Sequence, residues 1–145
     1  MSSIKLAIKQ QYYVINLFQN SFQKDFKFEE YLIRLSKQDR VYITKLRTLN
    51  LKLPIETERC NNIAKELRLC SFCNKKIEDE YHILFTCSND RIVQLRQKHI
   101  PNYYWNPPVI YKMEGLFRLW NNQLMTNISR FIKKYFTIII TIFYI

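Results

Sequence analysis

The sequence predicts a mostly α-helical fold: a small helical domain organised around a short cysteine/histidine knuckle, with long amphipathic helices at both ends. Two patterns carry that expectation. Apolar residues recur at helical spacing near both ends of the chain, and three cysteines and a histidine crowd into residues 70–87. The material for a core is ample. At 145 residues, with 48% apolar and 15% aromatic content, the chain amounts to one domain, or a small domain with an appended module, and carries no signature of disorder.

Residues 1–27 are expected to hold an N-terminal helix, from Ile4 to Phe22, because Ile4, Ala7, Ile8, Val14, Ile15, Phe18 and Phe22 keep a helical period. After a break over residues 21–27, helices are predicted over 29–35 and 37–49. Around a wheel of about 100° per residue, Lys37, Arg40, Thr44 and Arg47 share one side and Tyr42, Ile43, Leu46 and Leu49 the other. Such a basic stripe either solvates a helix face or tracks phosphate. Pro54 ends that element and leaves residues 50–69 as loop or short extended segments.

Ser88 or Asn89 is placed to cap a helix running to about His99, with Ile92, Leu95 and Ile100 facing inward and Pro101 as its stop. His99 is expected at the surface. Residues 102–108 (NYYWNPP) read as an aromatic loop, whose Tyr103, Tyr104 and Trp105 either pack in the core or stack on bases. A short helix is predicted over 110–120. The strongest amphipathic pattern follows, through Leu124, Met125, Ile128, Phe131, Ile132, Tyr135 and Phe136. Residues 137–145 form an apolar tail to which no role is assigned. The uncharged run 135–145 is shorter than the ~20 residues a spanning helix needs, so no transmembrane segment is expected.

Twenty-three basic residues against twelve acidic ones leave a formal charge of +11, which favours a polyanion, nucleic acid first and an anionic membrane surface second. The charge is spread along the chain. Thirteen basic and seven acidic residues precede Cys70, and ten and five lie from Cys70 onward, so no detachable basic arm exists. The single glycine, Gly115, excludes glycine-rich phosphate loops, which need several positions without a side chain. The first residues lack a secretory pattern, and a reducing compartment, nucleus or cytoplasm, is the expected location.

The chemistry concentrates in Cys70-Ser-Phe-Cys73, then His82, then Cys87. A two-residue spacer lets a tight turn aim two thiolates at one point, and two further ligands complete a tetrahedral zinc site. His82 and Cys87 are five apart, about 140° around a helix, so Cys87 is expected at or past a helix end. Glu78, Asp79 and Glu80 suit the first turn before His82. Structural zinc is weighed against free buried thiols and against a redox role. Cys60 has no partner at knuckle spacing and reads as a free thiol, with a substitute-ligand role as the alternative.

The run from Arg40 to Cys87, RVYITKLRTLNLKLPIETERCNNIAKELRLCSFCNKKIEDEYHILFTC, resembles the cysteine/histidine segment that follows the reverse transcriptase domain in invertebrate non-LTR retrotransposon polyproteins. The pieces that carry the likeness are ITKLR, LPIET, the C-x2-C, IEDEYH and the H-x4-C; it continues through Leu95-Arg96 and Tyr103-Tyr104 into the last amphipathic helix. The resemblance spans about residues 28–136 and implies Cys70, Cys73, His82 and Cys87 as ligands of one zinc. Cys60, Ser88 in place of a common proline, and the tail from Thr137 depart from the pattern, the last suggesting truncation, frameshift or a divergent end.

Full-length relatives of that kind copy RNA into DNA with a cluster of palm aspartates. Here only Asp25, Asp39, Asp79 and Asp90 occur, with no adjacent pair, so no polymerase active site is expected. The expected role is a non-catalytic module that grips template RNA or target DNA and takes no small-molecule substrate. A structural or protein-interaction module, or a decayed frame without selected function, is the alternative.

Overall fold

The computed structural model describes residues 31–48, 50–53, 62–118 and 121–143; the predicted N-terminal helix, Pro54 and Cys60 lie outside them. The fold is mostly α-helical. Among the described residues, extended pairing is confined to the isolated bridges Leu69–Ile77 and Trp105–Pro108.

A short helix α1 (Tyr31–Arg34) precedes α2 (Lys37–Arg47). Ser36 caps α2, its Oγ accepting from the Asp39 amide at 3.2 Å, and so supplies a partner to a donor that the first turn leaves unpaired. Ile43 and Leu46 are fully buried, as the wheel predicts. Arg47 is buried as well, at 9% exposure, which corrects the expectation of an open basic stripe. It stands four residues after Ile43, about 40° further round the helix, on the flank of the apolar face.

After a 3₁₀ turn at Lys65–Leu67 and the knuckle described below, Asn89 caps α3 (Asp90–His99), its Oδ1 accepting from the Arg91 amide at 3.0 Å. Ile92, Leu95 and Ile100 face inward. His99 corrects the expectation of a surface histidine, because it is buried. It follows Ile92 by seven positions and therefore falls on the same stripe.

The predicted aromatic loop instead holds a helical turn, α4 (Asn102–Trp105). The Trp105 indole donates to the Ile100 carbonyl at 3.0 Å, and Lys112 Nζ donates to the carbonyls of Tyr103 and Pro107 at 2.7 and 2.9 Å. These bonds close the segment on itself. Helix α5 (Ile110–Arg118) buries Met113 and Leu116.

The longest element is α6 (Asn122–Phe143), started by Asn121, whose Oδ1 accepts from the amides of Gln123 and Leu124. It does not stop near residue 136, so most of the tail is helix. Nothing in TIIITIF breaks the ladder, and the Thr137 and Thr141 hydroxyls bond back to the carbonyls four residues earlier at 2.9 and 2.8 Å. Helices α1, α2 and α3 all pack against α6. Its buried Ile128, Phe131, Ile132 and Tyr135 form the spine of the core, and the buried Ser129 hydroxyl donates to Asp39 Oδ1 at 2.7 Å, pinning α2. Among the described residues no helix is long and apolar enough to cross a membrane.

Candidate metal centre

The knuckle begins as a narrow hairpin. The Cys70 amide donates to the Lys76 carbonyl at 2.7 Å and the Glu78 amide to the Arg68 carbonyl at 3.1 Å, on either side of the Leu69–Ile77 bridge. At the tip the Asn74 amide donates to the Cys70 carbonyl at 2.9 Å, and Asn74 takes φ 53°, a left-handed conformation that asparagine tolerates well. That turn brings Cys70 and Cys73 to the same side.

The histidine arm starts where Asp79 Oδ1 accepts from the His82 amide at 2.7 Å. Asp79 is thus the cap rather than a first-turn residue, and Glu78, Asp79 and Glu80 are all buried. From His82 to Thr86 the backbone widens into a π-turn, closed by the Cys87 amide donating to the His82 carbonyl at 2.8 Å. The five-residue spacing that no α-helix can present on one face is accommodated here: Cys87 sits at the end of the wide turn, where the chain leaves it.

The four side chains converge. Their donor atoms all lie within 4.8 Å of one another; Cys70 Sγ is 3.8 Å from Cys87 Sγ, and Cys73 Sγ is 3.3 Å from His82 Nε2. A tetrahedral zinc with ordinary bond lengths sets sulfur–sulfur and sulfur–nitrogen edges at about 3.8 and about 3.6 Å. The Cys70–Cys87 edge matches the first value and the Cys73–His82 edge is slightly shorter than the second, so the cluster is compatible with such an ion. A disulfide would hold its sulfurs at about 2.05 Å, and all three cysteines are free. Cys70, His82 and Cys87 are buried and Cys73 is half-buried, so the cluster is shielded from bulk water.

Neighbouring groups orient it. His82 turns Nε2 toward Cys73, while Nδ1 is 2.7 Å from Thr86 Oγ1, a hydroxyl able to accept an Nδ1 proton and so leave the Nε2 lone pair for a metal ion. The Cys87 sulfur and then burial push the Cys70 thiol up to about 12, whereas the same bond holds Cys87 below the ordinary thiol range. Protons are therefore the competitors of any cation at these sulfurs. Arg96 is buried and donates to the carbonyls of Leu84 and Ile83, at 2.8 and 3.4 Å, placing a cation near the Cys87 sulfur.

The cluster is also fastened to the long helix. Tyr135 of α6 hydrogen-bonds through its hydroxyl to Glu78 Oε1, and its ring meets Phe72, between the two knuckle cysteines, edge-on at 5.4 Å. Cys70 Sγ is 3.8 Å from the same carboxyl oxygen. Burial raises the Glu78 carboxyl above the usual carboxylate range, and burial together with Glu78 keeps the Tyr135 phenol protonated.

The residues expected to meet nucleic acid are not brought together in the same way. Lys37 is exposed, but Arg40 donates to the Leu32 carbonyl at 2.6 Å and so ties α1 to α2, and Arg47 is buried. Of the aromatic trio, Tyr103 is 66% exposed with Lys112 Nζ 4.6 Å from its ring centre, Tyr104 is buried, and Trp105 is half-buried under Arg96. Thr86, Glu78, Arg96 and Tyr135 are contributors that spacing arguments passed over. Thr86 was within reach of them, since it follows His82 by four positions.

The fold and site define a small helical domain built around a Cys3His cluster compatible with a metal ion such as zinc. Compared with known proteins, the chain matches no family model, no curated protein and no solved structure.

Proposed function

We propose that Cys70, Cys73, His82 and Cys87 hold one structural Zn²⁺, and that the domain is a non-catalytic nucleic-acid-binding module. In this reading it is the C-terminal cysteine/histidine segment of a non-LTR retrotransposon reverse transcriptase polyprotein, gripping template RNA or target DNA. The observation that carries the zinc is the convergence of four donor atoms within 4.8 Å in a shielded cluster. Four protein ligands close the coordination sphere and leave no position for an activated water, which is why the reading is structural rather than catalytic. The nucleic-acid part rests on the +11 charge, on the exposed Lys37 and Tyr103, and on the resemblance in residues 40–87.

A second reading, a structural or protein-interaction module, draws on Arg40 and Arg47, two cations of the predicted stripe that are engaged or enclosed within the fold. Metal analysis of the purified chain, followed by titration with single-stranded RNA and DNA at several salt concentrations, separates the two. One zinc per chain, lost in Cys87→Ser and kept in Cys60→Ser, together with binding that weakens steeply with salt, is the expected result. Zinc without binding at low salt would leave the interaction module standing; zinc kept in Cys87→Ser and lost in Cys60→Ser would overturn the ligand set.

A further inference from the structure

The wide turn that delivers Cys87 needs a reason to stay wide. In an α-helix each amide donates to the carbonyl four residues back, so Cys87 would donate to Ile83 and the amide after it to Leu84. Here Cys87 donates to His82 instead, at 2.8 Å, and the chain leaves helical geometry at Cys87 with ψ 127°. The carbonyls of Ile83 and Leu84 thereby lose the amides that a continuing helix would supply, and both residues are fully buried. Buried carbonyls without partners are unfavourable, so the turn should narrow unless another donor takes them.

Arg96 is that donor. It lies in the last turn of α3, 12 and 13 positions further along the chain, and is 3% exposed. Its Nε donates to the Leu84 carbonyl at 2.8 Å, and Nη2 makes a longer bond to the Ile83 carbonyl at 3.4 Å. The guanidinium is a rigid fork, and this one reaches the two adjacent carbonyls that α geometry would have filled. A cation at the carbonyl end of a helical turn also has the favourable sign. The ring of Trp105 lies 5.9 Å from the guanidinium carbon, and its indole is held by the Ile100 carbonyl, so α4 steadies Arg96 while Arg96 holds the turn.

We propose that Arg96 is a positioning residue of the metal centre: it keeps the five-residue turn from His82 to Thr86 wide and so places the Cys87 sulfur within reach of the other three donors. The metal rests on the proposed function; the hold on the turn does not. A narrowed turn would put Cys87 about 140° around from His82 and take one thiolate from the site, leaving Cys70, Cys73 and His82.

The test loads the full chain with Co²⁺, whose absorption reports the number of thiolate ligands, and with Zn²⁺ in competition with a chelating dye. At saturating Co²⁺, Arg96→Met should lose about a third of the sulfur-to-metal charge-transfer absorption, the share of one thiolate in three. Its zinc affinity should fall about 10–100-fold. Arg96→Lys, which keeps the charge without the fork, should fall between, and it carries the comparison should the methionine variant not fold. Adding Cys87→Ser to Arg96→Met should change neither reading further, because both substitutions remove the same ligand. Ile92→Val, a buried truncation on the same helix, should lower Tm with the parent's Co²⁺ spectrum. In the metal-free chain, exchange of the Cys87 amide followed by NMR should quicken in the Arg96 variants and not in Ile92→Val.

The parent's Co²⁺ spectrum at saturation in both Arg96 variants would overturn the inference and leave the zinc reading intact. A parent chain that takes up neither metal, with Cys87 exchange quickened only in the Arg96 variants, would refute the zinc reading and keep Arg96 as the residue that holds the turn.

Discussion

Removing only the hydroxyl of Tyr135 tests whether the long helix and the knuckle are one cooperative unit. The ring is fully buried among Phe72, Phe131 and Phe136, with centroids 5.4, 6.3 and 5.5 Å away, and its hydroxyl bonds to a Glu78 that is itself 0% exposed. Tyr135→Phe keeps the ring contacts and leaves the carboxyl without that partner. Depriving a buried polar group of its partner costs about 1–3 kcal/mol. For a domain of this size about 3 °C of Tm accompanies each kcal/mol, so a fall of about 3–9 °C is expected. Tyr135→Ala, which also deletes the ring, should cost a further ~3–5 kcal/mol. Glu78→Gln retains a carbonyl acceptor for the phenol and should be milder than Glu78→Ala. The assay is thermal unfolding followed by CD, with excess zinc and again with chelator. If Tyr135→Phe melts within about 1 °C of the parent in both conditions, the bond contributes no net stability and the coupling argument fails.

Thr86→Val removes the acceptor from His82 Nδ1 at nearly constant volume, and zinc affinity measured by competition with a chelating dye should fall about 10–100-fold, whereas Thr86→Ser should retain it; equal affinities for all three would show that the tautomer is set elsewhere. His99 makes stability depend on pH in a definite direction: its folded titration lies below the ordinary imidazole value, so on acidification the unfolded chain takes up its proton first. The contribution is intact above the ordinary value and is lost as pH falls through it toward the folded value. Urea midpoints measured on either side of about pH 6.5 should therefore drop more for the parent than for His99→Gln, with the zinc site common to both chains; parallel drops would contradict the burial argument.

What the sequence determined by itself is what depends on near neighbours in the chain. The C-x2-C spacing needs only a tight turn, the cap at Asn89 and the stop at Pro101 act within one helical turn, and the apolar repeat from Leu124 to Tyr135 requires nothing beyond its own period. His99 was expected at the surface on the identity of the residue, although its register with Ile92 puts it on the stripe that the structure buries. The continuation of α6 through TIIITIF was harder to read, because β-branched residues carry weak helix propensity and only the ladder and the packing of Ile138 and Ile139 favour it. Tertiary structure alone decided the rest. Glu78 and Tyr135 are 57 positions apart, and no periodicity announces that a phenol will close over a carboxyl beneath the cysteines. Arg47 lies on the flank of the α2 apolar face, and its burial depends on neighbours that local spacing does not name. Local geometry is set by bonds and short loops that the sequence spells out, whereas the environment of a side chain is set by the elements that fold onto it.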